Sequence, residues 1–538
     1  MISIPKGSPS PNGELHRPPP AGSTPTGRLD LERLLGDSAP DRLTLAILAY
    51  LLFPGLLFLL GWVSLWVALP AGLAAVAAFA LAPGWRGTWP LSARMTALCL
   101  ALGLLWAGAT GAHHLVYSSA DWQIRDAVLR DLAAGPWPVG YQEAGGAQWL
   151  LRAPLGFYLP AGLLGRIGGF RAAQIALWLS TGLGFGLVLM LLALVARAVA
   201  PGRRGAFALL AIVFILFHGL DLLPNMWLDW RFGTGPLASW GRGGEWWPRL
   251  FQYSGHVTAI LWAPNHAMPA WLLALLLLRH GRRPEFLRHL ALPLAAGAFW
   301  SPVASAGAAL LAGAVLLRQH GWRAAGLALS PANLLAVLFA IPVCLYLVAG
   351  SAAVPHGPLL SVHPGWSTPL VWAVFLLLEV LCWAVPAALL IRGRVFMASV
   401  VLLCLLPAYV FGPGNEMTAR GGMAPLAVLA VAVAAALLAP QPGRAQQAAR
   451  QALVGFAVIA LGGAAMEASL LLKRPWPASA ECPLLEAARH SVFAATTDWA
   501  HYLAPWPEEM LSGWLQELPA RPAERAAGSA PCWPEGGP

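Results

Sequence analysis

From Leu43 onward the chain repeats one feature, an apolar run closed by a short polar turn, and many of these runs are roughly 17 to 25 residues long. As a helix, such a run crosses a hydrocarbon layer about 30 Å thick. Full-length spans are predicted near 43–61, 62–82, 95–112, 172–199, 206–222, 333–350, 369–390, 395–411, 422–439 and 452–471. Shorter apolar segments lie at 267–279, 290–300 and 303–317, the last two meeting at the helix-breaking Trp300-Ser301-Pro302. The segment 154–167 is predicted to dip into the membrane without crossing it. Composition agrees: 58% of the 538 residues are apolar and 11% charged, against roughly 25% charged in a soluble protein. With a mean hydropathy of +0.63, polar groups cannot cover a water-facing fold. Cytosolic enzymes, nucleic-acid-binding modules and disordered scaffolds are excluded together. The expected fold class is an all-α, polytopic integral membrane helix bundle of about 13 transmembrane helices, with membrane lipid as its main partner.

Arginine position orients the bundle. Arg86 and Arg94, Arg203 and Arg204, Arg282, Arg283 and Arg288, Arg318 and Arg323, Arg392 and Arg394, and Arg444 and Arg450 all fall in short connections, which the positive-inside rule assigns to the cytoplasm. The net charge of +10 then reflects loops beside an anionic leaflet rather than nucleic-acid binding. Residues 1–42, rich in Pro, Gly and Ser, are predicted to be a disordered cytoplasmic tail. Residues 43–471 form the transmembrane domain, with external loops at 113–171 and 221–266, and 472–538 form a periplasmic C-terminal tail. The expected location is a bacterial inner membrane. Cys482 and Cys532 lie in that external tail, where an oxidising compartment would let them pair, while both remaining free is the alternative. No CxxC spacing suggests zinc.

Unusual polar residues collect in the predicted external loops. In the first, Asp121 precedes a run in which Ile124, Val128 and Leu132 recur every four residues with Arg125, Asp126, Arg130 and Asp131 between, the pattern of an interfacial amphipathic helix. Asp121 is either a catalytic carboxylate or the N-cap of that helix. His113 and His114 are adjacent, so on a helix they cannot chelate one ion together. The second loop gathers Asp221, Trp246, Trp247, Tyr253, His256 and His266. Its aromatic faces suit sugar C–H faces or an interfacial belt, and its polar groups suit hydroxyls. A third, short loop holds Glu416 and Arg420. Arg420 is a fork suited to phosphate oxygens, or the partner of Glu416 four residues earlier.

An Asp-Trp after an early span, a long external loop and polar residues gathered outside together resemble the GT-C superfamily of polytopic membrane glycosyltransferases, over roughly residues 95–440. More closely, Asp121-Trp122, Pro136-Trp137-Pro138-Val139, Pro154-Leu155-Gly156-Phe157-Tyr158-Leu159-Pro160, Phe251-Gln252-Tyr253-Ser254, Trp262-Ala263-Pro264-Asn265-His266, Phe299-Trp300-Ser301-Pro302 and Gly414-Asn415-Glu416-Met417-Thr418-Ala419-Arg420 look like blocks of an uncharacterised bacterial multi-span membrane protein group. The superfamily resemblance implies a polyprenyl-phosphate sugar as donor and an external glycan, lipid or protein as acceptor. It makes Asp121 the base, with Arg420 and, further, Arg125, Arg152, His256 and His266 facing the leaving phosphate. Two departures stand out: the carboxylate follows the third predicted span, and no DxD or ExD surrounds it. Asp121 would therefore act without a metal, or join Asp221 and a distant His around Mg²⁺ or Mn²⁺. A transporter or flippase for a lipid-linked or anionic solute is the alternative from another class, drawing on Glu379 and Glu467 inside apolar spans. A non-catalytic subunit of a surface-polymer assembly machine is the third.

Overall fold

The computed structural model describes residues 27–533 apart from residues 115, 236, 237, 239, 241, 242, 366–368, 441, 442, 474–477, 497, 508, 510, 520 and 527. Among the described residues, seven helices are long and apolar enough to cross a membrane: Arg42–Trp62, Leu159–Val199, Pro302–Ala328, Pro331–Val348, Pro369–Leu390, Glu416–Leu438 and Arg444–Leu472. Shorter apolar helices, among them Leu65–Ala80, Ala93–Gly108 and Ala291–Trp300, complete the bundle. The chain is an all-α multi-pass membrane protein, although the figure of about 13 crossings is not fixed by helix length alone.

Exposure follows the solvent expected of lipid. Leu60, Leu65, Leu105, Ile167, Leu370 and Val458 face outward, whereas the helix Met423–Leu438 is buried along its whole length. A helix apolar on every side is stable outside only where the surroundings are apolar too.

The ends of the bundle differ. At one, Arg282 pairs with Asp37 (3.3 Å), Arg392 with Asp30 (3.1 Å), and Arg197 donates to the Pro90 carbonyl (3.0 Å). This arginine-rich end also corrects the extent of the expected N-terminal tail. Leu29–Asp30 pairs in parallel with Ile391–Arg392, Leu31–Leu35 is a helix, and Glu32 is buried, accepting the Val395 N–H. Asp41 then caps Arg42–Trp62 by accepting from Thr44 N at 3.1 Å and takes the Arg279 guanidinium at 2.6 Å. Asp30 and Glu32 are therefore anchors rather than part of a disordered tail. The remainder of the expected tail, 1–26, lies outside the described residues.

The opposite end carries a layer of loops. The amphipathic helix predicted after Asp121 is present as Trp122–Ala134, with Ile124, Val128 and Leu132 buried. Segment 154–167 is continuous with the long helix that follows it. It opens as a 3₁₀ turn at Leu155–Phe157 and continues as the first arm of Leu159–Val199, which bends at Gly169, where φ is 78°. Only glycine adopts that backbone freely.

The C-terminal residues expected to form a tail instead fold onto this layer. Leu503–Trp506 adds an antiparallel strand to the hairpin of Gly140–Gln142 and Gln148–Leu151. Gln516 N donates to the Trp62 carbonyl and Ser64 N to the Trp514 carbonyl, each at 2.8 Å, which ties the segment to the end of the first long span. Cys482 and Cys532 are joined across 50 residues. By constraining the unfolded chain, a closure of that length stabilises by about 2–4 kcal/mol. Cys482→Ser with Cys532→Ser should accordingly raise amide exchange in 503–506 by at least tenfold, measured by hydrogen–deuterium exchange in micelles; unchanged protection would deny the bond that anchoring role.

Candidate functional site

Asp121 stands at the start of Trp122–Ala134, yet it does not cap it: its own backbone is helical and its side chain accepts no cap hydrogen bond. The carboxylate is engaged by Arg125 one turn on, with Nη2 donating to Oδ2 at 2.8 Å. The two partners differ sharply in exposure, since the Arg125 side chain is 4% accessible and that of Asp121 is 32% accessible. A buried guanidinium thus holds a partly exposed carboxylate. Burial by itself would weaken the charge on Arg125, but Asp121 and the Tyr502 hydroxyl outweigh it and raise its pKa, so the cation is fixed.

Several distant segments meet there. Tyr158, from the block Pro154 to Pro160, lies within electrostatic reach of Asp121 and Arg125 and is buried. Tyr502, from the C-terminal segment, lies within electrostatic reach of Arg125. The imidazole of His266 has Arg420, Arg125 and His501 within the same range. Its Nδ1 lies 2.7 Å from Ser301 Oγ and its Nε2 3.2 Å from Asn265 Nδ2. The blocks around Trp262 to His266 and Phe299 to Pro302 are both helix breaks, one before Pro264–His280 and one before Pro302–His320. A break turns the first helical side chains toward the loop end, and Ser301 also caps its helix by accepting from Ala304 N.

Arg420 forms the ion pair with Glu416 that their spacing suggested, Nε to Oε2 at 2.5 Å, and both side chains remain partly exposed. Arg152 is buried behind the site; its backbone N–H donates to the Tyr502 carbonyl at 2.7 Å, so it holds the C-terminal strand in place. His113 and His114 diverge as expected. His114 Nε2 meets Asp126 Oδ2 at 2.6 Å, while His113 packs edge-on against Trp178.

The remaining predicted residues belong elsewhere. Asp221 pairs with His218 (3.0 Å) and accepts from Trp247 Nε1 (2.7 Å), in a separate buried cluster. Tyr253 is a core residue, its ring against Phe375 and its hydroxyl donating to the Leu403 carbonyl. His256 is wedged between Phe214 and Trp271 with Nδ1 at the Phe214 carbonyl, and Trp246 is 57% exposed on the surface. Neither Tyr253 nor Trp246 has a contact with the Asp121 group among the described residues, so their expected substrate roles have no geometric support. Sequence reasoning missed Tyr502 and His501, since nothing in a predicted tail marks a residue that returns to a distant loop. It also left Tyr158 and Ser301 within their blocks, with no role assigned to either.

No family model and no curated protein matches the chain. Among solved structures it is similar to the arabinofuranosyltransferase AftD from Mycobacteria, at 18% identity and a TM-score of 0.40 over 81% of this chain and 32% of that one. The chain thus spans about a third of the length of the enzyme it resembles.

Proposed function

We propose that the chain is a membrane glycosyltransferase that moves a sugar from a polyprenyl-phosphate carrier to an external glycan, lipid or protein acceptor at the Asp121 site. One observation carries this reading: a partly exposed carboxylate held by a buried arginine, with a second, partly exposed arginine in range of the same buried imidazole. Transfer between a lipid phosphate and an alcohol needs that pairing of charges. Asp121 takes the acceptor's hydroxyl proton as its oxygen bonds to the anomeric carbon, and the bond from that carbon to the phosphate oxygen breaks through an oxocarbenium-like transition state. Arg420 receives the phosphate that leaves, exchanging Glu416 for the ligand. The loop end faces the periplasm in this reading and the arginine-rich end the cytoplasm.

The direct test is to incubate purified protein with polyprenyl-phosphate sugars and acceptor and to follow release of polyprenyl phosphate. A sugar moved onto acceptor supports the proposal. Flux of an intact lipid-linked solute across proteoliposomes, without bond breakage, supports the transporter instead, which the buried carboxylates Glu379 and Glu467 favour. Within the transfer reading, Arg420→Ala should raise the donor KM about tenfold or more, the loss of a charged hydrogen bond to phosphate, with less change in kcat. An unchanged donor KM removes Arg420 from the site.

A further inference from the structure

A second group of ionisable side chains is buried where the predicted span 206–222 fails to complete. The helix Ala206–Ile215 ends early, and the chain opens before resuming at Leu222. His218, in the opening, lies between two carboxylates, its Nδ1 3.0 Å from Asp221 Oδ2 and its Nε2 3.2 Å from Glu245 Oε1. Potential donor atoms of these three residues all lie within 4.8 Å of one another.

Two more carboxylates reach the same place. Glu379 projects from a π-helical turn, Leu377–Leu381, in the middle of Pro369–Leu390. Its carboxylate occupies the space that glycine leaves at Gly219, where any Cβ would collide with it. Glu467 accepts from Gly244 N at 3.0 Å and Trp262 Nε1 at 3.4 Å, within range of Glu245 and His218. All five residues are buried. Among the described residues no arginine or lysine pairs with any of the four carboxylates, and His218 supplies at most one positive charge. Glu379 Oε1 is buried and accepts no hydrogen bond.

Such a surplus of buried negative charge persists only if protons or a cation neutralise it. Protons alone do not account for the convergence of three donor-bearing residues, an orphaned carboxylate oxygen and a helix unwound by one residue to deliver it; π-turns of this kind recur at functional sites. We propose that His218, Asp221 and Glu245 bind a divalent transition-metal cation, with Glu379 as a further ligand. One imidazole among carboxylates suits Mn²⁺ or Zn²⁺, whereas Ca²⁺ favours an all-oxygen shell. Trp247, donating to Asp221, and Gln252, donating to Glu245 at 2.7 Å, orient the carboxylates from outside. The site is separate from Asp121 and holds whether or not the chain transfers sugar.

The test uses the full chain in detergent, stripped with chelator, dialysed and titrated with MnCl₂. Electron paramagnetic resonance should find one tightly held Mn²⁺ per chain, competed by Zn²⁺, with a pulsed-resonance ¹⁴N coupling from a coordinated imidazole. His218→Gln should erase that coupling, and Asp221→Asn and Glu245→Gln should each weaken Mn²⁺ binding at least tenfold. Thermal unfolding identifies which variants fold, and unchanged binding in any folded one overturns the proposal. Should none fold, the wild type decides alone. Tight Mn²⁺ with nitrogen coupling supports the site; Mn²⁺ without it lies away from His218 and overturns the proposal, and no tight binding means that protons alone neutralise the cluster.

Discussion

Asp121→Asn is expected to lower kcat for sugar transfer by about 10²- to 10⁴-fold, the range for removal of a positioned general base, with the donor KM little changed. The substitution is close to isosteric, and the amide oxygen of the replacement side chain can still accept from Arg125 Nη2. What it removes is the capacity to take a proton. Because Arg125 is buried and its cation is held by the carboxylate, some stability is lost as well, so melting temperature should be measured beside activity. Asp121→Glu provides the complementary measurement: it restores the base on a longer arm and should recover part of the rate without matching the wild type. Full transfer by a folded Asp121→Asn protein would sink the assignment of Asp121, and with it the transfer mechanism proposed at this site.

The second large effect concerns folding. Asp131 is wholly buried at the junction of the amphipathic helix, the hairpin and the C-terminal segment. Its Oδ2 accepts from Tyr141 Oη (2.7 Å) and Leu484 N (2.9 Å), and its Oδ1 from Arg130 (2.9 Å), with Arg521 at 3.3 Å. Asp131→Ala leaves those donors without an acceptor and should cost about 3–5 kcal/mol, the range for breaking a buried charge pair from one side. Burial pushes the Asp131 carboxyl up more than Arg521, Leu484 N–H, Tyr141 and Arg130 pull it down, so its pKa lies above the ordinary aspartate value. A group so shifted binds its proton more tightly when folded. Its contribution to stability is therefore complete below the unfolded value and declines as pH rises through the folded one. The neutral Asp131→Asn, which keeps one acceptor oxygen, should accordingly be less damaging than Ala. Chemical denaturation followed by Trp fluorescence and by exchange at 140–151 would measure this, and an Ala variant as stable as wild type would show that the loop layer does not depend on the carboxylate.

That layer also marks where the sequence stops being informative. The period-four apolar stripe from Ile124 to Leu132 fixed an amphipathic helix because it needs only one buried face, whatever buries it. What buries it was not legible: Leu484, Arg521 and Gln516 reach the layer from more than 300 residues away, and a polar, proline-rich terminus looks the same whether it folds back or trails. The same limit applies at Asp30 and Glu32, which fall within the predicted tail yet meet Arg392 and the Val395 N–H. For the site, Asp121, Arg125, His266 and Arg420 were nameable in advance because charge next to an apolar span is costly and therefore conspicuous. Tyr253 and His256 were nameable for the same reason and proved to be core, each placing one polar atom on a backbone carbonyl, although the buried Nε2 of His256 is left without a partner.

The one-dimensional pattern determined that this chain is a membrane helix bundle and roughly where its spans lie, because hydrocarbon imposes its thickness and polarity on every crossing segment separately. Only the tertiary structure decided which charges meet. The grouping of Asp121 with Tyr502, and of His218 with Glu379 and Glu467, depends on how helices pack and where they break, and electrostatic partnership falls off over a few ångströms while leaving no periodic trace along the chain.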